Sequence, residues 1–211
     1  RLDKRESIIF QGKYGKRENR REGFMGGVSK KLTFKGRPDK LYEYFVFEAF
    51  DGVVLKISTY SGREDKLEKE VFEGYCGKRD DGSYGFDGAV VKTCTYNGRW
   101  DNLKEEFFEG DWGIRADGSE GFVGVVVKTC TYSGRKDGLE TEVYDGDWGK
   151  RPWGTEGFML GNHFKTDTYR LSDGKVKIVK WKAVIGKLRD GGTLYNRYKQ
   201  LTTNNNPCRI S

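Results

Sequence analysis

Alternation of apolar and polar residues with a period of two runs through most of the chain. From Phe122 to Tyr132, Val123, Val125, Val127, Thr129 and Thr131 fall on one face of an extended segment. Phe122, Val126, Lys128, Cys130 and Tyr132 fall on the other. From Leu139 to Trp148, Leu139, Thr141 and Val143 share one face, and Glu140, Glu142, Tyr144 and Trp148 the opposite one. Period two over such lengths predicts strands. Twelve runs of this kind begin near Ser7, Phe24, Leu41, Gly52, Leu67, Phe86, Leu103, Phe122, Leu139, Phe158, Val176 and Thr193.

The runs repeat. VVKTCTY stands at Val90–Tyr96 and again at Val126–Tyr132, 36 residues on. Units of about 36 residues align without a gap at 56–91, 92–127 and 128–164. Weaker copies flank them at about 23–55 and 165–201, the last offset by one extra residue. Each unit holds two strand runs. They are joined by turn formers such as Ser133–Gly138, and the next unit follows an Asp-Gly-Ser loop (Asp81–Ser83, Asp117–Ser119). Asp-Gly between strands marks a hairpin. The unit is therefore a β-hairpin. The expected fold is all-β: an antiparallel up-and-down meander of about 10–12 strands in one domain over residues 1–201, with 202–211 as a tail. A meander of this length leaves sheet edges to be managed, so a closed barrel is the first expectation. A two-sheet sandwich, a β-prism and a solenoid are the alternatives.

Composition agrees with strands: 14% of the 211 residues are aromatic and 30 are Gly, which suits strands joined by glycine turns. No run of apolar residues is long enough for a membrane-spanning helix. The opening residues RLDKRES read as a processed or an artificially trimmed N-terminus, and a secreted protein is the expectation. Charge is segregated: 13 Lys/Arg against 7 Asp/Glu in residues 1–50, 15 against 22 in 51–164, and 11 against 3 in 165–211. Basic flanks could meet nucleic acid, but solvated strand faces explain them more simply. A third reading is self-complementary packing, the basic flanks of one chain meeting the acidic centre of a like one. The expected partner is thus a homo- or hetero-oligomer of similar chains rather than nucleic acid.

The cysteines are constrained by the strand order. Cys94 and Cys130 occupy equivalent runs with one run between them, a separation of about 9.5 Å. A disulfide needs Cα atoms within about 7 Å. Both are expected as buried thiols, with Cys208 free, bridged to Cys76 or intermolecular. No C-x-x-C motif points to zinc, and the single His163 cannot build a metal cage alone.

Carboxylates recur in the second run of each unit (Glu68/Glu70, Glu105/Glu106, Glu140/Glu142), beside Lys92 and Lys128 of the first. A glycosidase would use one such pair, whereas repetition in every unit points to cross-strand Lys–Glu pairs. The G-D-W-G segments, Gly110–Gly113 and Gly146–Gly149, offer Trp112 and Trp148 with Asp111, Asp147 and Arg115 nearby. A ring with polar neighbours suits a sugar subsite; packing at the strand ends is the simpler alternative. Trp100 and Trp153 appear in one copy each, so the repeat does not demand them, and they are candidates for a specific contact.

No catalytic fingerprint is present. The expected function is non-catalytic binding, either of a small apolar ligand or pigment inside a barrel or of carbohydrate at the aromatic rim (a lectin-like role). A structural or storage protein that assembles into a stable oligomer is the alternative, and an enzyme built on unrepeated residues is a second one.

Overall fold

The computed structural model describes residues 5–16, 22–48, 52–80, 82–151, 153–187 and 194–206. Twelve strands and no helices are found among them. They are β1 (Arg5–Lys16), β2 (Glu22–Phe34), β3 (Leu41–Glu48), β4 (Gly52–Tyr60), β5 (Leu67–Lys78), β6 (Tyr84–Tyr96), β7 (Leu103–Ile114), β8 (Glu120–Tyr132), β9 (Leu139–Lys150), β10 (Glu156–Arg170), β11 (Val176–Lys187) and β12 (Leu194–Asn206). Each begins within two residues of the position expected from the alternation. Leu41, Gly52, Leu67, Leu103, Leu139 and Val176 are themselves first residues.

The strands group into two compact units, residues 1–99 and 100–211. The first holds β1–β6 and the second β7–β12. Within each unit the strands lie in sequence order, and the pairs are antiparallel. The pairings establish an all-β up-and-down meander; among the described residues neither unit closes on itself. β12 carries the pairing to Asn206, opposite Val176. Cys208 and Asp81 lie outside the described residues.

One face of each unit carries the core. On β6, Phe86, Val90 and Cys94 are buried; on β8, Phe122, Val126 and Cys130. The alternation survives a bulge in β8. Gly110 pairs with Val126 and Asp111 with Val123, leaving Gly124 and Val125 extra. Two extra residues preserve side-chain parity, so Phe122 and Val126 stay on the inner face. The bulge needs a left-handed residue, and Gly124 supplies it with φ +67°.

The inner face is tiered. Lys92 pairs with Glu70 at 2.6 Å, Lys128 with Glu106 at 2.5 Å, and Lys165 with Glu142. The ammonium groups also lie over the rings of Phe72, Phe108 and Tyr144 at 4.9, 5.1 and 5.7 Å. The recurrent Lys and Glu are thus cross-strand partners. Cys94 and Cys130 are buried thiols beside these carboxylates, 3.8 Å from Glu70 and 3.9 Å from Glu106. Burial pushes the Cys130 thiol up to about 11.

The turns after β2, β4 and β8 share one design. Arg37, Arg63 and Arg135 grip Asp39, Asp65 and Asp137 two residues on, through paired bonds of 2.7 to 3.0 Å. The same carboxylates accept the N–H of Leu41, Leu67 and Leu139 at 3.2, 3.3 and 3.2 Å, an Asx arrangement that launches the next strand. Bonding by Arg135 holds the Asp137 carboxyl down at about 2. The last residue of these turns is left-handed: Lys40 (φ 56°), Lys66 (φ 63°) and Gly138 (φ 75°).

That shared geometry predicts opposite outcomes at equivalent positions. A left-handed non-glycine costs about 1–2 kcal/mol, so Lys66→Gly should leave stability unchanged or raise it by up to about 1 kcal/mol. A Cβ at Gly138 would stand 2.3 Å from the Arg170 carbonyl oxygen, so Gly138→Ala should destabilise by roughly 1–3 kcal/mol. Chemical denaturation of the two variants beside the parent checks both signs.

Candidate functional site

The seven residues marked out by the sequence do not converge. Successive strand positions face opposite ways. Trp112 packs edge-on against Phe122 at 5.1 Å on the inner face, while Asp111 pairs with Val123 and faces outward, exposed. Trp148 likewise packs against Phe158 at 5.0 Å and Phe108 at 5.7 Å. Asp147 faces the other way and accepts a hydrogen bond from the Asn162 amide. The Asp and Trp of one G-D-W-G therefore cannot hold one ligand between them. Trp100 is 92% exposed in the turn before β7, and Trp153 is 49% exposed in the turn before β10. Three strands separate those turns, so they lie at opposite ends of the unit.

Arg115 has a structural task. Its Nε donates to the Phe122 carbonyl at 3.2 Å, and its Nη1 to Ser119 Oγ at 3.3 Å and to Glu156 at 2.7 Å. Arg79 and Arg151 fold back in the same way onto the Phe86 and Phe158 carbonyls, at 2.8–3.1 Å. Glycine makes the room: a Cβ at Gly85, Gly121 or Gly157 would lie 2.2, 1.9 or 2.4 Å from the guanidinium above it.

Trp148 lines a cavity. The cavity measures about 240 Å³ and lies within the second unit, bounded by β8, β9, β10 and β12. Tyr144, Trp148, Phe158 and Tyr198 form its aromatic walls, and Lys128, Arg151, Glu156, His163 and Asn196 its polar lining. The sheet curls to build it. β10 and β12 flank β11, about 9.5 Å apart in a flat sheet, yet His163 Nε2 lies 2.9 Å from the Tyr198 hydroxyl, and the Gly161 N–H donates to Asn196 Oδ1 at 2.8 Å. On its other side β10 lies close against β9, where a Cβ at Gly146 would stand 2.5 Å from the His163 Cα.

His163 is 2% exposed and stacks on Phe158 at 5.0 Å. Its Nδ1 faces the Met159 carbonyl at 3.3 Å, which can only accept, so Nδ1 carries the proton and Nε2 accepts from Tyr198. Burial pushes the imidazole below its ordinary value, the Met159 bond works against that, and the Arg151 charge adds to it. A neutral, doubly held imidazole is a wall rather than a base. Burial raises the Glu142 carboxyl, but Lys165 and Tyr132 bond to it and together hold it below its usual value. The Tyr198 hydroxyl is raised by burial.

What the cavity presents is mostly donors. Trp148 Nε1 is buried with no hydrogen-bond partner among the described residues. The Asn196 oxygen is occupied by Gly161, which leaves its amide N–H groups to donate. Arg151 spends its Nε on Phe158. Glu156, the carboxylate at the rim, is paired with Arg115.

His163 of the cavity, and Asp167 beyond it, stand out in the repeat. Aligning backwards from Lys165 instead of forwards from Phe158 puts His163 at the position of Val90 and Val126, the fully buried row. The same alignment puts Asp167 at the position of Cys94 and Cys130. Asp167 is 2% exposed and accepts from Trp181 Nε1 at 2.7 Å. Asn196 and Tyr198 come from a strand with no counterpart in the repeat, and no sequence signal points to them. Comparison with protein families, characterised proteins and solved structures finds no match, so the site is read from its own chemistry.

The depressed imidazole has a stability consequence. The unfolded chain takes up the proton near the ordinary value of 6.5, before the folded one does. His163 therefore contributes stability above that pH that is lost as pH falls through the folded value. Thermal melts at about pH 7.5 and about pH 5.5 should show a drop in the parent. The drop should shrink in His163→Val, which carries the residue its sister strands use.

Proposed function

We propose that the second unit is a non-catalytic binding module for a small organic acid. The acid is held in the cavity between β8, β9, β10 and β12, with its carboxylate toward the donors and its body against the aromatic walls. The observation that carries this reading is the buried indole N–H of Trp148 without a partner. An unsatisfied buried donor costs about 1–3 kcal/mol, and an acceptor brought by a ligand removes that cost. Arg151 adds positive charge to the same surroundings, Lys128 being matched by Glu106, and that favours an anion over a neutral acceptor. A wholly apolar cargo or pigment fits less well, since it would leave the indole N–H unpaired.

A cavity of about 240 Å³ suits a molecule the size of a sugar acid or an aromatic carboxylate. It lies at the small end of ligand sites. The carbohydrate-binding expectation narrows accordingly, from neutral sugar on a rim to an acid in a cavity. The reading needs no closed barrel, because the second unit forms the cavity by itself. It needs no catalysis either: the one imidazole is neutral and held at both nitrogens.

Ligand-observed NMR against matched pairs, small uronic and aromatic acids beside their amides, tests the proposal. Acids should bind and their amides should bind at least about tenfold more weakly, as loss of a charge-assisted bond implies. Trp148→Phe keeps the ring packing and deletes only the N–H. It should fold as stably as the parent or more so, and lose roughly fivefold to thirtyfold in affinity. Equal binding of acids and amides, or an unchanged affinity in Trp148→Phe, would overturn the reading.

A further inference from the structure

The outer face of the second unit carries a row that the cavity does not use. Glu109 pairs with Val127, Val127 with Asp145, Asp145 with Phe164, Phe164 with Lys182, and Lys182 with Lys199. Paired residues share a face, so acid, valine, acid, aromatic and two bases stand in line across all six strands. Phe164 divides the signs.

Within one unit Lys182 has the Phe164 ring 5.9 Å away, but three features of this row stay unbalanced. Lys182 and Lys199 are directly opposite, a placement that destabilises a sheet. Asp145 and Lys182 are two strand spacings apart, about 9.5 Å, too far for an ion pair. On the inner face Lys128 and Lys165 each hold a carboxylate, whereas none pairs with Lys180, Lys182, Arg197 or Lys199 among the described residues. The same face leaves Val125 62%, Phe164 51% and Leu201 49% exposed, bulk that an isolated sheet face gains nothing by presenting.

We propose that this outer face docks a second copy of the chain about a two-fold axis at Phe164. Reversing the row about Phe164 exchanges its two neighbours. Phe164 then meets Phe164 of the second copy, and Asp145 of each copy faces Lys182 of the other. One step further out, Val127 lies against the aliphatic stem of the other copy's Lys199. An isologous contact of this kind satisfies both charge sets at once. The mixed sign of the face argues for a like chain over a polyanion, which Glu109 and Asp145 would repel. The curl that brings β10 to β12 on the inner side makes the outer face convex there. The contact is confined to the crest, and the dimer is weak and sensitive to salt.

Sedimentation of the full chain tests this. The parent should dimerise at about 50 mM salt, and its dissociation constant should rise roughly tenfold or more by about 500 mM. Asp145→Lys and Lys182→Glu each set like charges across the axis, so each alone should be monomeric where the parent is dimeric. Mixed in equal amounts they should dimerise again, because both contacts then pair opposite charges. That restoration also shows both variants to be folded. A parent that stays monomeric at ~100 µM in low salt, or a mixture that stays monomeric while the parent dimerises, would overturn the proposal. A monomeric parent retained on a polyanion resin would assign the basic strands to an acidic partner instead, and would overturn it equally.

Discussion

Successive side chains of a strand point to opposite faces, and most of what this molecule can do follows from that one constraint. It lets one face of β8 turn inward, so Phe122, Val126 and Cys130 form a core stripe while Val125 stays exposed. It also separates residues that look adjacent in sequence. Asp111 and Trp112 cannot serve one ligand, because they belong to different faces. Asp145, Phe164 and Lys182 are far apart in sequence, yet they share a row because pairing keeps parity across strands. Function has to be sought along rows, not along the chain.

Parity survives in β6 and β8 because their irregularities respect it. The bulge at Gly124 adds two residues opposite β7, not one. A single insertion would have sent Val126, Lys128 and Cys130 outward and exposed Val125, Val127 and Thr129 inward. In β10 one further residue is inserted between Phe158 and His163, in the stretch unpaired with β9, so the inward positions shift from Phe158 to the odd-numbered His163 and Asp167. The glycines that repeat in every unit have a different duty. Gly85, Gly121 and Gly157 clear the path for an arginine to reach the carbonyl of the phenylalanine that follows. This explains why the Arg, the Gly and the Phe recur together while the residues between them drift.

The strand map was legible in the sequence because alternation and turn chemistry act locally. Leu41, Leu67, Leu103 and Leu139 open strands where an Asp two residues earlier can accept their N–H, and that pattern stands in the chain itself. The inner-face Lys–Glu pairs were legible for the same reason, as cross-strand neighbours in a hairpin. The cavity was not. It depends on curl, which brings β10 to β12 past an intervening strand, and curl is a property of the whole sheet. A guanidinium near a tryptophan looks like a ligand contact in the sequence, and the clearance over Gly121 shows where the Arg115 side chain lies.

The repeat and the site occupy different parts of the chain for a physical reason. A residue that recurs in each unit is set by what the hairpin needs, so it cannot be chosen for one ligand without disturbing the rest. The positions free to change are those where the repeat breaks. His163 stands where its sisters have Val90 and Val126, and Asp167 where they have Cys94 and Cys130. Both polar replacements find partners locally: His163 in Tyr198 and Met159, and Asp167 in Trp181 at one oxygen, with the Lys165 ammonium 3.1 Å from the other. The regular units place valine and cysteine at those positions. A buried polar group is tolerable at the end of the array because β11 and β12 supply partners that no internal repeat possesses. The regular hairpins thus provide a frame with one permitted face, and the irregular end is where that frame can hold chemistry.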